Sequence, residues 1–402
     1  MIKGIFASNQ GIVGDRQGDF ASAILQLYPT GTAVFLAMTA GMGKSGAGDT
    51  VFTWFEDSHQ AGRSNVVTAD AAGLGTNVTV GNGSQYIPSQ VLMVEETGEY
   101  LFVTSVVGDV LTVIRGMSGT VPTALTADMN VQSIGNAHEE ASGMPTAVSQ
   151  QGSPRMNYTQ IFRNAWAISG TAKAVKYRTG DKLARNKQQA AQFHAEDMER
   201  AFLWGRQHIG TFNGKQFRMT DGVLAQIEKY GGIVESVATD SGDGPVAGDY
   251  SRGDFEDFIR RVFATNVKGQ PNERIALGGD LWLAGLNRMT MLDGTYNIEQ
   301  GETAVGITVN KIVTPFGTLK LMTHPLMNEN PLWQRELYVM HPGAIRRRVL
   351  RDTNEEGYDA NGKRIQGKDA DEGVMTTEAG VEVGAASTMG ILRGFNKAVK
   401  TQ

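Results

Sequence analysis

"NYTQIFRNAWAISGTAKAV", residues 157–175, leads into "GDKLARNKQQAAQFHAEDMERAFLWG", residues 180–205, and the reading of this join decides the fold. Side chains alternate through the first segment, the period-two mark of a strand: Tyr158, Gln160 and Phe162 point one way, Thr159, Ile161 and Arg163 the other. No turn signal stops the run through Trp166 and Ile168. The second segment changes period. Leu183, Ala190, Ala191, His194, Met198, Ala201 and Phe202 fall on one helical stripe, uninterrupted by Pro or Gly, with Asp181 placed to cap and Gly205 to end it. A helix over 181–204 would run about 36 Å at 1.5 Å per residue. A long strand feeding a spine of that length implies an extended α+β subunit.

Upstream of the join the texture is all β. The short runs "NVTVG", "QVLMVEE", "EYLFVTSVVG", "VLTVIRG" and "NVQSIG" are separated by Gly, Asn and Asp turns, which predicts a small barrel or sandwich over 66–135. The alternating stretches "TVFTWFEDS" and "NYTQIF" flank it, so the barrel reads as an insert in a hairpin-like excursion. Residues 1–50 hold one short helical pattern, with Phe20, Ile24 and Leu27 on one face before Pro29, between glycine-rich stretches: an arm that docks elsewhere.

Downstream, "SRGDFEDFIRRVFATN" spaces Phe255, Phe258, Ile259, Val262 and Phe263 as a helix behind a Ser251-x-x-Asp254 cap. A buried strand "ERIALGG", a helix "DLWLAGLNRMT" and a hairpin turning at Pro315-Phe316-Gly317 follow. The last section predicts two long strands, "AIRRRVLRDT" and "VMTTEAGVEVG", joined by a polar loop. The first carries Arg346, Arg347, Arg348 and Arg351, the second Glu378 and Glu382. Such a hairpin has little apolar surface to bury, and its edges invite another chain.

Composition narrows the function. The 402 residues include 50 glycines and no cysteine, with a net charge of −5. The charge argues against generic phosphate binding, and the missing thiols exclude disulfides and thiolate metal sites. No cofactor or metal site is expected. The start of the chain lacks a secretory pattern, and "AVFLAMTAGM" at 33–42 is far short of the ~20 residues a bilayer span needs, so no membrane association is expected.

Three motifs invite chemistry and fail on spacing. "MTAGMGKSGAGDT" resembles a phosphate-binding loop at Gly43-Lys44-Ser45, but Met38 stands where its first glycine belongs, and a strand follows where a helix should. "HEEAS" at 138–142 has Ser142 in place of a second zinc-binding His. "DTNEEG" at 352–357 opens like a calcium loop, yet Lys363 occupies the twelfth position, and a solvated turn is the plainer reading. His194 reads as a packed histidine. In "RRRVLR" alternation splits Arg347 from Arg346 and Arg348, which favours cross-strand or intersubunit ion pairs with Glu378 and Glu382 over a basic surface.

The succession "TVFTWFEDS", "LTVIRGMSGT", "NAHEEAS", "NYTQIFRNAWAISGTAKAV", "ARNKQQAAQFHAEDMERAFLWG", "TPFGTLKLMTHPLM", "HPGAIRRRVLRDT" and "TTEAGVEVGAASTMGILRG" resembles, in order and over nearly the whole chain, the tailed-phage major capsid proteins. The resemblance implies the Hong Kong 97-like fold, here with an all-β insert. It divides the chain into an N-terminal arm (1–50), an extended loop (51–157, insert 66–135), a peripheral domain (158–215 and 335–384, with spine helix 181–204 and the long hairpin) and an axial domain (216–334 and 385–402). It implies a non-enzymatic structural protein forming hexamers and pentamers of an icosahedral head around double-stranded DNA, without sequence-specific binding. The expected location is the virion, after assembly in the bacterial host cytoplasm.

Partners implied are further copies of itself and portal and scaffold proteins, with a decoration protein left open. No scaffold-like segment is seen at the N-terminus, so a scaffold is expected as a separate protein or as a piece removed before residue 1. Trp54, Phe55, Arg346, Arg347, Arg348, Arg351, Glu378 and Glu382 are the intersubunit candidates. Competing readings are a tail-tube or head-completion protein and a nucleotide hydrolase at Gly43-Lys44-Ser45. The insert either clamps an adjacent capsomer or is a tolerated surface module.

Overall fold

The computed structural model describes residues 35–36, 44–57, 62–66, 75–145, 147, 152–177, 180–236, 249–250, 252–293, 299–304, 307–356, 369–394 and 397–398. The expected arm helix at Phe20, Ile24 and Leu27 and the cap at Ser251 lie outside them. The chain divides into two compact units, Met1–Trp54 with Met156–Gln402, and Phe55–Arg155.

In the first unit a four-stranded sheet runs in the order Lys44–Gly46, Ile345–Glu356, Ala370–Val383, Gln160–Ser169. The spine helix is Lys182–Trp204; Asp181 caps it by accepting from the Leu183 amide at 2.8 Å. Gly205 ends it for a reason of space. A Cβ there would lie 2.3 Å from the Ala201 carbonyl oxygen and 2.7 Å from that of Thr220. The buried face is Ala190, His194, Glu196, Met198, Glu199, Phe202 and Leu203. Ala191 is exposed, and two glutamates take positions that spacing alone gave to solvent.

The join itself is two strands. Ser153–Tyr158 pairs with Val51–Glu56 as a two-stranded ribbon, and Gln160–Ser169 pairs with Ala370–Val383. Thr159 turns aside between them, its amide donating to the Thr50 carbonyl at 2.9 Å. The inward phase therefore shifts, from Asn157 and Thr159 to Phe162, Trp166 and Ile168. Unbroken alternation could not show this.

The expectation that the terminal hairpin buries little is corrected. Its return strand, Ala370–Val383, is an interior strand of the sheet and is buried continuously from Thr376 to Val383. Small and β-branched residues let this strand pack on both faces, and Glu378 and Glu382 meet arginines. Exposure falls on Arg346 and on the far end of Ile345–Glu356, from Arg351 onward.

A seven-stranded mixed sheet follows: Ile233–Ser236, Gly390–Arg393, Leu337–Met340, Glu273–Gly278, Gly317–Thr323, Ile307–Thr314, Glu299–Ala304. Alternate residues serve different cores. Ala276, Leu321, Leu337, Val339 and Leu392 pack with Phe255, Phe258, Ile259 and Val262 of helix Arg252–Val262 and with Trp282. Leu277, Met322, Tyr338, Met340 and Ile391 face the other way, into one cluster with Phe162, Phe202, Val381 and Val383. The four-stranded and seven-stranded sheets thus share a core.

In the second unit six strands run Arg63–Asn65, Asn130–Asn136, Gln90–Val94, Tyr100–Val107, Val110–Met117, Asn77–Thr79. An antiparallel bridge between Val66 and Val80, just beyond the two outer strands, closes them into a barrel. Leu92, Val94, Leu101, Val103, Leu111, Val113 and Val131 fill it. Closure removes both edges that an open sheet would offer.

Candidate assembly surfaces

The arginine run lies where two strands pair. Arg346 stands opposite Glu382, Arg348 opposite Gly380, and Arg351 opposite Glu378. The register slips between Val349 and Arg351, leaving Leu350 as a bulge. One extra residue turns Arg351 onto the face shared by Arg346 and Arg348, whereas strict alternation would leave it with Arg347. Arg348 Nε donates to Glu382, Arg351 Nε lies 2.8 Å from Glu378, and Arg218 approaches Glu378 at 3.5 Å. Both glutamates are buried and engaged within the subunit, so they offer little to a neighbour. Arg347 falls on the core side between Ile345 and Val349, its Nε buried without a hydrogen-bond partner. Arg346 and Arg351 are the exposed members of the run, Arg351 with its Nε turned to Glu378.

The two aromatic candidates separate likewise. Trp54 is buried, stacked on Phe52 at 6.1 Å and edge-on to Tyr230 at 6.2 Å. Phe55, the next residue on the ribbon, is 74% exposed.

Phe35 and Leu36 are held by a carboxylate off the apolar stripe that spacing gives the long helix. Glu199 accepts the Phe35 amide at 2.5 Å and the Leu36 amide at 2.7 Å, and His324 Nε2 donates to it at 2.7 Å. Glu199, His324 and the Phe35 side chain are all fully buried. Asn157 plays a similar part where the ribbon enters. Its side-chain nitrogen donates to Thr220 Oγ1 and to the Asp221 and Val381 carbonyls, and its oxygen accepts the Asp221 amide at 2.8 Å. Local spacing gave no sign of this: Asn157 is one polar residue at the head of an alternating stretch.

A third buried polar cluster lies beside the seven-stranded sheet. The fully buried Arg274 donates to the carbonyls of Thr388, Glu273 and Thr265 and lies 4.9 Å over the Phe263 ring. Burial lowers its pKa to about 10. His341 Nδ1 accepts the Gly343 amide at 3.2 Å, and Nε2 faces Asn266 Oδ1 at 3.1 Å. Burial, and then the Arg274 charge, push the His341 pKa down to about 4.

The described residues of the motifs that invite chemistry take ordinary places in the fold. Lys44–Gly46 is a short strand parallel to Arg347–Val349, and Ser45 Oγ accepts Arg348 Nη1 at 2.7 Å, so these residues form no phosphate-cradling turn before a helix. Gly43 lies outside the described residues. His138 to Ser142 are exposed and non-helical. Asp352 to Glu356 continue a strand, correcting the solvated turn, and Lys363 lies outside the described residues. His194 bridges Asn164 and Thr377 at 2.7 Å each, as a packed histidine would. Among the described residues no group of three His, Asp or Glu could hold a metal, and no helix is long and apolar enough to cross a membrane.

Residues 6–396 match the sequence profile of the SU10 major capsid protein family. The chain is 28% identical over 393 residues to the major capsid protein of Pseudomonas phage PaMx41, covering 94% of this chain and 92% of that one. Among solved structures it is similar to the capsid of Myoviridae phage XM1 (12% identity, 98% of this chain and 100% of that one, TM-score 0.47). It is also similar to the capsid of an empty GTA particle (10% identity, 97% and 98%, TM-score 0.47).

Proposed function

The chain belongs to the SU10 major capsid protein family, and from that premise we propose that it completes itself only in a lattice of its own copies. It is a major capsid protein of a tailed phage and a component of the virion, with a Hong Kong 97-like α+β fold. The finer reading is a head of hexamers and pentamers, assembled in the host cytoplasm around double-stranded DNA, with separate portal and scaffold proteins.

One observation carries this reading beyond the family match: large apolar side chains stand bare on many separate elements. Phe55 on the ribbon is 74% exposed, Phe212 on a hairpin 71%, Leu332 73%, and Val107 and Val121 of the barrel 75% each. Scattered single residues of this kind are ordinary, but ones this large on ribbon, hairpin and barrel alike suit a subunit with several neighbours. Many modest contacts repeated around a closed shell then give stability that no single contact supplies.

Electron microscopy of the purified chain, concentrated through its assembly range, tests the proposal. Closed shells built of capsomers are expected. Open tubes would favour the tail-tube reading, and a persistent monomer would overturn both. Arg346→Glu is expected to impair assembly while leaving the fold intact. Reversing Arg348 would break its ion pair with buried Glu382 and harm the subunit itself.

A further inference from the structure

The barrel unit and the rest of the chain carry opposite charge. Residues 55–155 contain ten carboxylates against three arginines and no lysine, a net −7. The whole chain is −5, so the remainder is +2. A unit so acidic is repelled by DNA phosphate and attracted to cationic protein surface.

The outside of the barrel is not uniformly polar. Cross-strand neighbours Val91, Phe102 and Ile114 form a row over three adjacent strands, since Val91 pairs with Phe102 and Phe102 with Ile114. Ile134, in the bulge opposite Val91 and Leu92, extends the row to a fourth strand. These residues alternate with the inward Leu92, Leu101, Val103 and Val113, so they face outward. Ile114 is 49% and Ile134 53% exposed. Glu95 and Glu96 follow the strand that carries Val91, and Asp109 sits in the turn before the strand that carries Ile114.

The first unit has a counterpart surface. His208–Phe212 and Lys215–Met219 form a two-stranded hairpin with Asn213 and Gly214 in the left-handed conformations of a tight turn. Register places His208, Phe212, Lys215, Phe217 and Met219 on one face. The opposite face carries Arg218, which turns towards Glu378. The first face is left bare: Phe212 is 71% exposed, Phe217 41% and Met219 37%. The hairpin holds Lys215 and Arg218 and no carboxylate. A bare apolar face on a two-stranded ribbon is unstable in water unless something covers it.

We propose that the outward row of the barrel docks on the His208–Met219 hairpin of a second copy. This rests on the capsid reading and deepens it. The apolar row meets Phe212, Phe217 and Met219, while the acidic unit faces Lys215. The two surfaces differ, so the contact is heterologous and repeats from copy to copy around a ring or shell. The insert is then a clamp and not a passive module.

The chain has no cysteine, so engineered thiols react without background. Two single-cysteine variants, Ile114→Cys and Phe212→Cys, are co-assembled, and the particles are treated with a short bismaleimide. Neither variant can cross-link within one chain. Heterodimers are expected in several-fold excess over either homodimer. Adding Phe217→Asp to the hairpin partner should cut their yield roughly tenfold, the equivalent of 1.4 kcal/mol. Unchanged melting of each variant subunit confirms that the exposed substitutions leave the fold alone.

Intact particles yielding no heterodimer, or only Ile114→Cys homodimers, overturn the docking and leave the capsid reading standing. A chain that yields neither particles nor dimers at any concentration removes both.

Discussion

A carboxylate buried on the inner face of a helix must find donors, and Glu199 finds the backbone amides of Phe35 and Leu36 and one imidazole. Its geometry makes the contact with residues 35–36 a specific anchor. Glu199→Gln keeps the size but weakens charge-assisted bonds that each contribute about 1.5–3 kcal/mol. Amide exchange at Phe35 and Leu36 should then rise at least roughly tenfold, while amides in the middle of the spine helix stay protected.

His341 makes a second residue-scale prediction. Its folded pKa is lowered to about 4, chiefly by burial and also by Arg274, so protonation favours the unfolded chain. The contribution is fully present above the ordinary histidine value, about 6.5, and is lost as pH falls from there towards about 4. The resulting loss between pH 7.5 and 5 is about 2 kcal/mol. Protonating Nδ1 would also remove the acceptor of the Gly343 amide. Urea unfolding at the two pH values should show the loss in the native chain and a smaller one in His341→Gln.

Among elements, the barrel is the plainest case of a self-sufficient one. Its strands close through the Val66–Val80 bridge, and its interior is filled by its own side chains. A bidentate pair also locks it: Arg115 Nε and Nη2 meet the two oxygens of Glu99 at 2.7 and 2.6 Å, with both side chains buried. Burial opposes the Glu99 charge, but Arg115 and the Thr123 and Gly116 amides outweigh it and hold the carboxyl below its usual range. Removing one partner strands the other charge in the interior, so Arg115→Met should cost about 3–5 kcal/mol. The cost should appear in the unfolding of the barrel alone.

For the whole molecule, two compact units with separate interiors predict two calorimetric transitions. Leu101→Ala, which empties part of the barrel, should lower only one of them, by about 2–5 kcal/mol. Phe55→Ser touches an exposed ribbon position, so it should leave both transitions in place. It should raise the concentration at which particles form, read by light scattering. If Phe55→Ser instead lowers a transition, the ribbon face is part of the subunit and not an assembly contact.

Much of this architecture was legible in the order of residues. The spine helix, the strand-rich insert and the aromatic stripe of Arg252–Val262 follow from local spacing, because periodicity and chain breakers act over a few residues. The resemblance to the capsid family rested on the succession of such elements. Local spacing does not carry phase across a break. The turn at Thr159 and the bulge at Leu350 each insert an offset that only a partner strand defines, and the second decides which arginines share a face. Nor could it tell that Ala370–Val383 is an interior strand, since a strand's burial depends on what stands on either side of it. Glu199, Asn157, Arg274 and His324 look like surface residues in one dimension. They become interior ones because distant segments supply partners that make burying them affordable: Phe35, Leu36 and His324 for Glu199, Val381 for Asn157 and Thr388 for Arg274.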